Sequence, residues 1–132
     1  MSNFVDLHRY DTTVNEYLPL PVRKGKVLLY GSSFFRVWGY DRSREQLLEA
    51  TDGRLETVNH GFGGATIDEL LYHYPRLVAP YAPRVMVIRA GYNELNRGQS
   101  PEDAVFLLER LLQWAIADFP TIQIMVFPVF DT

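Results

Sequence analysis

Apolar and polar positions alternate along this chain in blocks. Short runs rich in Val, Ile and Leu lie at 27–30, 55–58, 85–90 and 122–127. The first three each lead into a glycine-bearing turn: Gly31-Ser32-Ser33, Asn59-His60-Gly61-Phe62-Gly63-Gly64 and Gly91-Tyr92-Asn93-Glu94. After each turn the apolar residues shift to helical spacing. Thr66 followed by Glu69 is a capping-box pattern, and Ser100-Pro101-Glu102-Asp103 offers an N-cap, a proline at the first helical position and acids in the first turn. The helices that begin there direct Leu70, Leu71, Tyr74, Leu77 and Val78, and Leu108, Leu111, Leu112, Ala115 and Ile116, toward a sheet. Near-continuous apolar strands alternating with helices predict a parallel sheet covered on both faces, a doubly wound α/β domain. Ahead of it, Phe4, Leu7, Val14 and Tyr17 keep roughly helical spacing until Pro19 and Pro21, so residues 1–25 read as an N-terminal arm on a core of 26–132.

A chain of 132 residues that is 47% hydrophobic fits one core, so 1–132 is expected to be a single domain. Its formal charge is −3, and Lys and Arg are spread along the sequence without a basic run, which argues against a nucleic-acid partner. Cysteine is absent, removing disulfides and thiolate metal sites. The polar N-terminus and the lack of a long apolar stretch predict no signal peptide and no membrane span, and hence a cytoplasmic protein. Neither cofactor nor metal is expected.

Ligands of open parallel sheets bind beyond the carboxyl ends of the strands, where all three glycine turns fall. A serine hydroxyl from the first turn, a backbone N–H from the second and a side-chain amide from the third make up what acyl transfer requires: a nucleophile and donors aimed at a developing oxyanion. Each turn also has a plainer reading. Gly31-Ser32-Ser33 is compatible with a simple helix cap, Gly61-Phe62-Gly63-Gly64 with a phosphate-cradling loop, and Tyr92-Asn93-Glu94 with a solvated turn. Trp38 and Trp114 read as packing residues rather than a carbohydrate platform.

Taken together, "GSS", "NHGFGGAT" and "GYNE" resemble the first three blocks of the SGNH, or GDSL-type, hydrolases, over roughly 26–131. The resemblance implies a three-layer α/β/α flavodoxin-like fold with strand order 2-1-3-4. It also implies a serine esterase, lipase or acylhydrolase acting on a small-molecule ester. On this reading Ser33 is the nucleophile, and the oxyanion hole is formed by the Ser33 N–H, the Gly64 N–H and the Asn93 side chain. Ser32 stands where the family has the aspartate of Gly-Asp-Ser, and Glu94 where it has the second acid of Gly-x-Asn-Asp.

The family's last block, Asp-x-x-His after a fifth strand, has no counterpart before Thr132, so the chain reads as C-terminally truncated and weak or inactive alone. Of its histidines, His60 lies nearest the expected pocket, His73 falls within a helix as a solvent-facing or partly packed residue, and the Asp6-Leu7-His8 spacing does not match the block. The alternative is a non-catalytic acyl- or sugar-ester-binding domain of the same fold. Without a fifth strand, the run at 122–130 would be an open apolar edge, from which self-association is expected.

Overall fold

The computed structural model describes residues 10–31, 33–63, 65–90 and 98–127. They form α1 (Asp11–Tyr17), β1 (Val27–Gly31), α2 (Ser33–Trp38), α3 (Tyr40–Ala50), β2 (Thr57–Gly61), α4 (Ile67–Leu77), a 3₁₀ turn (Ala79–Tyr81), β3 (Val85–Arg89), α5 (Pro101–Asp118) and β4 (Gln123–Phe127). The strands make one sheet in the order β2-β1-β3-β4, every pair parallel, as the alternating pattern predicts. No helix among the described residues is long and apolar enough to cross a membrane.

β1 is buried along its whole length because its side chains feed two cores. Leu28 and Tyr30 join Val58, Met86 and Ile88 on one face, which α1, α4 and α5 cover with Val14, Leu70, Leu77, Leu108 and Leu111. Val27 and Leu29 meet Val87 and Phe35 on the opposite face, with Trp38 packed against them from α2. The helix starts follow their sequence signals. Glu69 Oε1 accepts from the Thr66 N–H at 2.8 Å, and the Ser100 hydroxyl accepts from the Asp103 N–H at 3.1 Å. Residues 11–17 of the N-terminal arm dock by burying Val14 and Tyr17, whereas Phe4 and Leu7 lie outside the described residues.

Three expectations change. The second strand is not 55–58 but Thr57–Gly61, so Asn59, His60 and Gly61 are ladder residues paired with Leu29, Tyr30 and Gly31. Polar side chains disguised this strand, and the burial of Asn59 and His60 is offset by the partners described below. Ile116 faces outward at 52% exposure, because the packed stripe of α5 runs through Ala104, Leu108, Leu111 and Ala115. His73 is fully buried rather than solvent-facing, its ring stacked on Phe62 at 5.8 Å.

Candidate functional site

At the carboxyl ends of the three inner strands, Gly31 lies in register with Gly61 on one side and Arg89 on the other. Neither glycine admits a methyl group. A Cβ on Gly31, whose φ is +121°, would lie 2.4 Å from the Arg89 carbonyl oxygen, and one on Gly61 would lie 2.4 Å from the Arg36 nitrogen. The close approach at Gly61 lets α2 begin directly over the sheet's end. Ser33 is the first residue of that helix and is exposed. It stands one position inside the helix rather than at the cap, so its N–H is among the first-turn donors that find no acceptor within the helix.

Buried polar contacts hold α2 in this place. Asn59 Nδ2 donates to the Phe35 carbonyl at 2.8 Å, the Gly39 carbonyl at 3.2 Å and Ser43 Oγ at 3.1 Å, while Asn59 Oδ1 accepts from the Gly61 N–H at 3.0 Å. Tyr17 adds a second tie: its hydroxyl donates to the Gly61 carbonyl at 2.7 Å and accepts from Arg36 Nη1 at 3.1 Å, and Arg36 also pairs with Glu16 at 2.6 Å. The second turn is anchored on both sides of Gly64. Phe62 is fully buried, the Tyr10 hydroxyl donates to the Gly63 carbonyl, and Ala65 is buried beyond. Ser32, Gly64 and Asn93 themselves lie outside the described residues, as does His8.

Sequence reasoning missed two residues here. Asn59 passed for part of a turn, and only its "N-x-G" spacing to Gly61 hints at the side-chain to backbone bond that it makes. Arg89 closes β3 with its guanidinium 5.3 Å from the ring centre of Phe34, the residue next to Ser33. No periodicity or motif pointed to it.

Neither described histidine offers itself to Ser33. His60 is fully buried, with Nδ1 2.9 Å from the Leu77 carbonyl and its ring flanked by Tyr17 at 4.8 Å and Tyr81 at 4.7 Å. Burial pushes its pKa down to about 4, outweighing the hydrogen bond to Leu77, so the ring is neutral and packed inside the core. His73 Nδ1 is 2.6 Å from Arg76 Nη2, also under the helix layer.

A family model described as GDSL-like lipase/acylhydrolase matches residues 29–132. The chain belongs to that family. No curated protein sequence matches it. Among solved structures, a GDSL-like lipase from Bacteroides thetaiotaomicron is similar with a TM-score of 0.70 at 16% identity, over 92% of this chain and 58% of that one. AlinE4, an SGNH-hydrolase family esterase, gives 0.65 at 23% identity over 81% of this chain and 60% of that one. The acetyl xylan esterase AlAXEase gives 0.63 at 19% over 76% and 56% respectively. At these identities the likeness is one of fold, and this family member spans less than two thirds of the length of each of these neighbours.

Proposed function

We propose that this domain carries the acyl-transfer site of a serine ester hydrolase. Ser33 is its nucleophile, and the Ser33 N–H, the Gly64 N–H and the Asn93 amide are its oxyanion donors. The observation that carries the reading is the exposed Ser33 at the first position of a helix that packs on Gly61 at the carboxyl edge of the sheet. In the reaction Ser33 Oγ attacks the ester carbonyl and its proton passes to a base. The carbonyl oxygen takes up charge facing the donors, and collapse expels the alcohol to leave an acyl-serine that water then hydrolyses. A positioned base is worth about 10² to 10⁴ in rate. His60 and His73, the histidines among the described residues, are both buried and do not supply that base, which supports slow turnover by these 132 residues alone. The same burial favours the second reading, an ester-binding domain without turnover.

Labelling with a fluorophosphonate probe, alongside hydrolysis of short p-nitrophenyl esters, separates the two. The wild-type chain should label, Ser33→Ala should abolish labelling, and Ser32→Ala should retain it. Saturable binding of an ester without labelling would establish the second reading, and equal loss from both serine variants would overturn the assignment of Ser33. We further propose self-association through β4, supported by its exposed Met125, Val126 and Phe127. A cytoplasmic location is supported by the lack of cysteine.

A further inference from the structure

At the opposite end of the strands from Ser33, cations that are far apart in the sequence converge. Glu56 immediately precedes β2 and Lys26 immediately precedes β1. Around the Glu56 carboxylate stand Arg44 Nε at 3.2 Å, Arg23 Nε at 3.6 Å and Lys26 Nζ at 3.4 Å. The basic residues that look scattered along the sequence are thus gathered by the fold, since an arm residue, a strand-start residue and a helix residue meet at one edge. The group carries three positive charges against one negative, in a chain whose formal net charge is −3.

We infer that Arg23, Lys26, Arg44 and Tyr40 form a second ligand site, one that takes a phosphate dianion or a phosphate monoester. Glu56 answers one of the three cations and Asp41, whose carboxylate also acts on Tyr40, a second, so the group keeps a net positive charge that attracts a phosphate. Donors are also left over. Arg23 Nη1 and the Tyr40 hydroxyl are buried without a hydrogen-bond partner among the described residues, a costly state that an incoming oxyanion relieves. Burial raises the Tyr40 phenol, against the pull of Arg23, so it keeps the proton it would donate. Glu56 stays ionised: burial raises its carboxyl, but the Arg44 hydrogen bond and the Lys26 charge more than offset this. The three cationic side chains are each about a third exposed, so a solute can reach them. β2 is five residues long, which puts about 16 Å of strand between this site and the glycine turns. The inference therefore stands apart from the ester hydrolase reading.

Titration of the whole chain with inorganic phosphate at constant ionic strength, followed by the backbone amide shifts of Lys26, Val27 and Glu56, tests it. Saturable shifts with a Kd of about 1 mM are expected. Arg23→Gln and Arg44→Gln should each weaken binding about tenfold, the effect of losing one charge-assisted contact. Glu56→Gln should tighten it by removing the competing carboxylate. A group that serves only to brace the fold gives the opposite: Glu56→Gln lowers the Tm and phosphate does not restore it. That result overturns the proposal, as does a phosphate response no different from that of chloride. Vesicles containing phosphatidic acid provide the arm for a lipid-borne monoester. Retention that free phosphate and Arg23→Gln both abolish assigns the site to a headgroup, and retention indifferent to Arg23→Gln contradicts the site.

Discussion

Asn59 satisfies both ends of its amide inside the protein, holding α2 from below and the Gly61 N–H from the side, and is 1% exposed. Removing it takes the partner from the buried Gly61 N–H, a loss worth about 1 to 3 kcal/mol, strips one donor from each of the Phe35 and Gly39 carbonyls and leaves a cavity beneath α2. Asn59→Ala should therefore destabilise the fold by about 3 kcal/mol, read as a lowered urea midpoint with unchanged slope. Asn59→Asp should do no better, since a carboxylate cannot donate to the Phe35 and Gly39 carbonyls. A loss under about 1 kcal/mol for both would mean that water replaces the amide without cost. The residue also marks where sequence reading stops. The strand-ending Gly31 and the helix after it were legible because their signals are local, whereas the acceptors of Asn59 Nδ2 lie 16 to 24 residues away, so nothing adjacent in the sequence announces them.

Among the elements, β2 shows how polarity can hide a strand and why that matters for pH. His60 fastens β2 to the last turn of α4 through Leu77, and its ring lies between Tyr17 of α1 and Tyr81 of the 3₁₀ turn. Four elements thus share one imidazole. Unfolded, that ring takes a proton near its ordinary 6.5, whereas in the fold burial holds it neutral until about 4. Between those values the unfolded chain binds the extra proton, so stability falls as the pH drops through that window, by up to about 3 kcal/mol at its foot. Chemical denaturation at a series of pH values from 7 to 4 should show this slope in the wild type and a shallower one in His60→Gln. Parallel slopes would assign the acid sensitivity to other groups. The helices were more legible than β2, because the capping signals at Thr66 and Ser100 and the apolar stripe of α4 operate within one element.

For the molecule as a whole, parallel pairing followed from apolar runs alternating with helices, whereas the strand order and the open edge at β4 were expected only through the family resemblance. Among the described residues β4 pairs with β3 alone and leaves Met125 54%, Val126 37% and Phe127 44% exposed. An apolar edge with unpaired backbone groups recruits further strands. Sedimentation across a concentration series should show dimers or larger species, reduced by Val126→Lys. A compact monomer at high concentration, unaffected by that substitution, would show that the edge is inert. The gathering of Arg23, Lys26 and Arg44 around Glu56 belongs to this scale as well, since no stretch of the sequence contains it.

The central place of β1 sets a clock inside the sheet. Its amides are laddered to neighbours on both sides, whereas β4 has a single partner among the described residues. Opening β4 disturbs one ladder, and opening β1 takes the whole sheet with it. Deuterium should therefore enter the backbone of 123–127 first and that of 27–31 only through global unfolding. The edge strand would then behave as a separate cooperative unit that detaches and reattaches many times within the lifetime of one folded core.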